Sequence, residues 1–413
     1  MKRWLRRTLK VLVALVATAV LGVVLLLALL WAGRYARVTL PDPTGPFGVG
    51  RTIEAWTDDT VDPFARDPRV KRLLVVWIWY PASDTPTAKA APYLPLDWRR
   101  ALERQRSSVV GSLMSRDLGR IQPHSVADAP VSRARPTWPV VILRAGRAAL
   151  TTDYTTLAED LASHGYVVVG FDAPYRTGLV VLPDGRVVTE APGHNPETLT
   201  GAAQDRAVAE VLDAWTADVA FVVDRLEQAN ASTPPNAATM HGLHGRLDLR
   251  ALGVVGHSLG GVTAAQFCRE DRRCRAGIDL DGAPRGRVVS EGLEQPFMFL
   301  LSDHSREKDP ASRQIMADIR SMYDRSSAAG RALLVIRGAN HFTFSDHLLT
   351  KNPVLIGALH RVGVLRLEPR RGLAVAAEWV HRFFDVHLMG APATLLQLPS
   401  TEYPELEVDP GTS

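Results

Sequence analysis

Short apolar runs alternate with longer amphipathic stretches along most of this 413-residue chain. Residues 73–80, 140–143, 166–171, 252–255, 276–281, 296–301 and 332–336 are rich in Val, Ile, Leu and aromatic residues and too short for buried helices. They read as strands, the first ending at Pro81. Helical spacing appears near 97–117, over 154–164 with Gly165 as its cap, over 203–228, from 259 onward, over 310–329 and over 373–388. Two β-branched runs about Asp184-Gly185 predict a hairpin over 179–188. Strands that are apolar on both faces, separated by helices and followed by polar residues at their carboxyl ends, indicate one α/β domain with a mostly parallel sheet flanked by helices.

One stretch departs from this rhythm. Residues 11–33 carry no charge, and as a helix they reach about 34 Å, enough to cross a hydrocarbon core of about 30 Å. They follow Lys2, Arg3, Arg6, Arg7 and Lys10, the pattern of an N-terminal transmembrane anchor with residues 1–10 in the cytoplasm and the remaining chain outside. A cleaved signal peptide, giving a secreted protein, is the alternative, although its apolar region is usually shorter, about 7–15 residues. The Pro-containing residues 34–70 then read as a stalk, 71–390 as the α/β domain with 82–136 inserted, and 391–413 as a C-terminal tail.

Composition changes little in this picture. The chain is 46% hydrophobic and 22% charged, ordinary for a large globular core. Its net charge of +4 is accounted for by the five basic residues of the first ten, so no nucleic-acid-binding face is implied. Cys268 and Cys274 are the two cysteines; they either pair in a local disulfide or remain buried thiols. No zinc-ligand spacing is present, and neither a metal nor an organic cofactor is implied.

The chemistry centres on Gly256-His257-Ser258-Leu259-Gly260, set between a strand and a helix. This G-x-S-x-G context is a nucleophile elbow, in which the tight turn lifts a serine hydroxyl above the strand end beside free helix N–H groups. A serine needs a base, itself oriented by a carboxylate. His341, after the last parallel strand, follows in the expected order. The residues alone leave two carboxylates open, Asp281 at the end of one strand and Asp303 at the end of the next.

The segments 161–168 (Leu-Ala-Ser-His-Gly-Tyr-Val-Val), 245–249, 256–261 and 277–281, together with 76–82 ending in Tyr80-Pro81-Ala82, resemble the platelet-activating-factor acetylhydrolase family, plasma and type II enzymes and bacterial relatives, over roughly 73–388. The resemblance implies an α/β-hydrolase fold, places the acid on Asp281 and the base on His341, and implies an ester or phospholipid substrate with short or oxidised acyl groups. The family's oxyanion loop reads His-Gly-apolar, whereas this chain has Ala145-Gly146-Arg147. The hole then falls to the Arg147 and Leu259 amides. The resulting expectation is a membrane-anchored serine ester hydrolase. An acyltransferase with the same three residues and a noncatalytic anchored scaffold are the alternatives.

Overall fold

The computed structural model describes residues 2–83, 89–105, 108–191, 199–231, 240–304 and 309–409. A ten-stranded sheet runs through it. In chain order its strands are β1 (Gly48–Val61), β2 (Lys71–Ala82), β3 (Val126–Ala127), β4 (Trp138–Arg144), β5 (Val167–Asp172), β6 (Leu247–His257), β7 (Cys274–Leu280), β8 (Phe297–Leu301), β9 (Arg331–Ile336) and β10 (Leu406–Val408). They lie in the order β10-β9-β8-β7-β6-β4-β5-β2-β1-β3. The stretch from β9 to β5 is parallel. β10 joins β9 antiparallel, and β2 runs antiparallel to both β5 and β1. The sheet is therefore mixed, with the expected parallel part at its centre.

The helices are α1 (Lys2–Tyr35), α2 (Leu96–Gln105), α3 (Val109–Leu113), α4 (Thr155–Ser163), α5 (Gly201–Ala231), α6 (Leu259–Glu270), α7 (Arg287–Glu291), α8 (Pro310–Arg325), α9 (Pro353–Arg361) and α10 (Pro369–Met389). The two-residue period of a strand divides the core between them. On β4, Val141 and Leu143 join Leu157 and Leu161 of α4 and Trp379 and Phe383 of α10 on one face. Val140 and Ile142 join Val222 and Leu226 of α5, Phe267 of α6 and Ile319 of α8 on the other. The hairpin about Asp184-Gly185 forms as expected, pairing Leu179–Val181 with Val187–Thr189.

Three boundaries need correction. Residues 34–70 are not a free stalk, because β1 pairs along β2 and Thr44, Gly45 and Phe47 bond to α4 and its end. Its signal is weak because Trp56 is buried while Ile53 stays partly exposed, so the apolar content is thin. The segment 82–136 does not stand apart either: Tyr93, Leu94 and Trp98 enter the core, and β3 extends the sheet. The helix expected near 97–117 is divided into α2 and α3, with residues 106–107 outside the described ones. Nor is 391–409 a loose tail, since Tyr403 and Leu406 are buried and β10 closes one sheet edge. β2 also passes through Pro81, whose carbonyl accepts the Ser132 N–H at 2.8 Å. The Pro- and Asn-containing residues 230–240, which the sequence marks as a link between the 203–228 helix and the elbow strand, lie mostly outside the described residues.

Residues Arg6–Tyr35 form a helix long and apolar enough to cross a bilayer. Only its last turns touch the domain. The fully buried Asn352 donates through Nδ2 to the carbonyls of Leu30 and Leu113, both at 2.7 Å, and its Oδ1 accepts the Val354 N–H at the start of α9. Arg34 donates to Ser112 O at 2.6 Å, and Arg116 to Ala36 O at 2.8 Å.

Candidate active site

β6 enters the elbow and α6 leaves it. Ser258 has φ 55° and ψ −125°, a left-handed conformation that costs a non-glycine residue of order 1–3 kcal/mol. Packing enforces it: a Cβ on Gly256 would fall inside the Gly260 backbone, and one on Gly260 would meet the Arg144 carbonyl. Val262 N–H returns to Ser258 O at 3.2 Å, so α6 begins immediately. The Leu259 N–H belongs to this first turn, where amides lack intrahelical acceptors and the helix dipole favours negative charge.

Ser258 and His341 line one cavity of about 630 Å³, together with Gly146, Arg147, Glu190 and Phe342. His341 lies in the loop after β9, with its side chain 43% exposed, while that of Asp281 is 2% exposed. His341 Nδ1 stands 2.7 Å from Asp281 Oδ2, which leaves Nε2 as the nitrogen not committed to that carboxylate. Asp281 itself has φ 55°. Burial alone would raise its pKa, but the hydrogen bonds and charges of His304 and His341 outweigh burial and hold the carboxyl well below the usual range.

Asp303 is placed elsewhere. Its carboxylate accepts the Gly338 N–H at 2.8 Å and pairs with Arg366 at 2.7 Å, bracing the turn before His341. Asp279 is fully buried and accepts the Gly282 N–H at 2.8 Å.

The loop after β4 connects to His341 through His257, a link the sequence did not reveal. Gly146 N–H donates to Tyr154 Oη at 3.0 Å, Tyr154 O–H lies 2.8 Å from His257 Nδ1, and His257 Nε2 lies 2.8 Å from His341 O. One set of proton positions satisfies every contact: the tyrosine donates to Nδ1, and Nε2–H donates to the carbonyl. This needs a neutral imidazole. Burial and the neighbouring His341 supply it, pushing the His257 pKa down to about 3. The Arg147 side chain leaves the loop to pair with Glu190 at 2.8 Å, across to the strand hairpin.

His304 was also missed. Its Nε2 is 3.0 Å from Asp281 Oδ1, so the carboxylate faces two imidazoles. The available signal was its place three residues beyond β8, on the same sheet edge as Asp281.

Cys268 at the end of α6 and Cys274 at the start of β7 form a disulfide. Asp160, His164 and His381 gather in a second cluster that sequence spacing did not suggest. Its imidazoles are stacked 3.7 Å apart with planes 18° from parallel, and Asp160 already accepts from Thr44 and His381. In-plane lone pairs of stacked rings run side by side rather than converge, so the arrangement suits packing.

A serine presented on a strand-to-helix elbow at the carboxyl end of a central strand of a mostly parallel sheet, with an imidazole and a carboxylate supplied by later loops, defines the α/β-hydrolase class. Within that class the chain belongs to the family of platelet-activating factor acetylhydrolase, isoform II, whose model matches residues 32–174 and 224–390. It is 27% identical over 290 residues to a probable 1-alkyl-2-acetylglycerophosphocholine esterase of Arthroderma benhamiae, a match spanning 65% of this chain and 65% of the fungal protein's length. Against the platelet-activating factor acetylhydrolase of Cavia porcellus it is 23% identical, over 78% of this chain and 72% of that one. The fold of a ferulic acid esterase from Streptomyces cinnamoneus superposes with a TM-score of 0.72 at 27% identity, covering 91% of this chain and all of that one.

Proposed function

We propose that this protein is a membrane-anchored serine hydrolase of carboxylic esters, acting through an acyl-enzyme on short or oxidised acyl groups, including those of phospholipids. The observation that carries the reading is Ser258 on its strained turn, sharing a cavity with a His341 whose Nδ1 is held by Asp281. Ser258 Oγ attacks the ester carbonyl while His341 Nε2 takes its proton. Asp281 fixes the imidazole and stabilises its cation. The Leu259 and Arg147 amides receive the oxyanion, and His341 returns the proton to the leaving alcohol. Water, activated by the same imidazole, then releases the acid. The names of the fungal and guinea-pig relatives support the substrate class.

The last turns of α1 support retention of the anchor, because cleavage near Gly33 would strip Asn352 of its Leu30 partner. The disulfide accords with an oxidising, extracytoplasmic location.

The test is a panel of esters from acetyl to long-chain, run with wild type and Ser258→Ala beside labelling by a fluorophosphonate probe. Hydrolysis of the short esters and labelling are both expected to vanish in Ser258→Ala; survival of either in that variant refutes the assignment. Transfer to added alcohols in preference to water would instead identify an acyltransferase.

A further inference from the structure

We propose that His304 is a positioning residue for the reaction, a second imidazole that holds the Asp281 carboxylate by Oδ1, the oxygen that His341 does not use. The inference rests on the serine-hydrolase reading and adds a residue to it. Asp281 sits just past β7 with positive φ, a backbone state that an aspartate leaves readily unless its side chain is tied down. Four contacts tie it. Ser302 N–H reaches Oδ1 at 2.8 Å and Ser302 O–H reaches Oδ2 at 2.9 Å, while His304 Nε2 meets Oδ1 at 3.0 Å and His341 Nδ1 meets Oδ2 at 2.7 Å. A carboxylate has about four lone-pair sites, so the set is full. Only one of them serves the base.

The arrangement has two consequences. Donors on Oδ1 fix the plane of the carboxylate, so Oδ2 stays aimed at His341 while the imidazole gains and loses a proton. They also draw charge away from Oδ2 and moderate how strongly Asp281 stabilises the cationic base. The charged neighbours of His304 allow this division. Asp303, adjacent in the chain, is paired with Arg366 and bonded by Gly338, while His304 Nε2 lies against Asp281 Oδ1 at 3.0 Å and Ser302 Oγ at 3.4 Å. With its side chain 24% exposed, His304 stands at the rim of the sheet edge and is not a core residue.

The experiment compares His304→Ala and His304→Gln with wild type and Ser258→Ala in the full-length protein, using a soluble acetyl ester. His304→Ala is expected to lower kcat about tenfold, equivalent to about 1.4 kcal/mol, with KM within twofold and the thermal midpoint little changed. The acidic limb of kcat/KM should move to higher pH, because a carboxylate with one donor fewer favours the protonated base. His304→Gln keeps a terminal N–H and should restore most of kcat and the limb. An unchanged kcat and limb in His304→Ala overturns the inference, as does a Gln variant as impaired as Ala with a lowered thermal midpoint, which would mark a purely structural role. If Ser258→Ala retains activity, the serine reading fails and this inference falls with it; loss of activity in Ser258→Ala with a silent His304→Ala refutes the inference alone.

Discussion

Two carboxylates end neighbouring strands, and their partners separate them. Asp281 addresses His341, whereas Asp303 is occupied by Gly338 N–H and Arg366. An imidazole without its orienting carboxylate adopts the wrong tautomer and its cation goes unstabilised, a loss on the order of 10⁴ in turnover in well-studied triads. Asp281→Asn is therefore expected to lower kcat by several orders of magnitude with the circular dichroism spectrum intact, while Asp303→Asn should cost less than about tenfold. Steady-state kinetics of the two variants decide between them; a crippled Asp303→Asn beside an active Asp281→Asn would move the acid one strand further along.

Among the elements, α1 joins two environments. Its apolar length stands free of the domain, with Leu12, Leu15 and Val16 more than half exposed, yet Leu30 is buried against it. A chain beginning at Arg37 loses one of the two carbonyls that Asn352 Nδ2 reaches, that of Leu30, and keeps that of Leu113; a single buried N–H left without its acceptor costs about 1–3 kcal/mol. The truncated protein is expected to leave the membrane and keep its esterase activity, but to melt several degrees lower in the same detergent. Asn352→Ala should then destabilise the full chain more than the truncated one. Equal losses in both backgrounds, measured by thermal unfolding, would show that the junction carries no coupling.

At the scale of the whole molecule, stability should depend on pH through His257. Its pKa is depressed to about 3 in the fold, against about 6.5 when unfolded. Below 6.5 the unfolded chain binds the proton and the folded one does not, so stability is complete above 6.5 and lost as pH falls toward 3. The slope from this group approaches about 1.4 kcal/mol per pH unit, or roughly 2 kcal/mol between pH 6.5 and 5. Because the buried Asp172 and Asp346 carboxyls, raised to about 7 and about 8, contribute in the opposite sense, the readout is the difference in slope: toward acid pH, calorimetry should show wild type losing stability relative to His257→Asn by about this amount. An identical slope in the two proteins would remove His257 as the cause.

Local pattern was enough for much of this protein. The period of the apolar runs marks β2 and β4 to β9, because strands buried on both faces must be apolar throughout. The elbow is legible because only glycine fits at 256 and 260, a constraint written in the residues themselves. The uncharged run of 11–33 likewise declares its helix by length and composition. Features that depend on distant neighbours were hidden. β1 and β10 lie at or near the sheet margins and carry few apolar residues, so their strand character comes from β2 and β9. The partners of Asp281 and Asp303 differ through loop paths that no spacing encodes. His304 and the Tyr154–His257–His341 chain arise because separate loops converge over the carboxyl edge of one sheet. Sequence determined the elements and the chemically able residues, since these follow from period, backbone freedom and side-chain type. Tertiary structure alone decided which donor faces which acceptor, because that depends on where segments far apart in the chain come to rest.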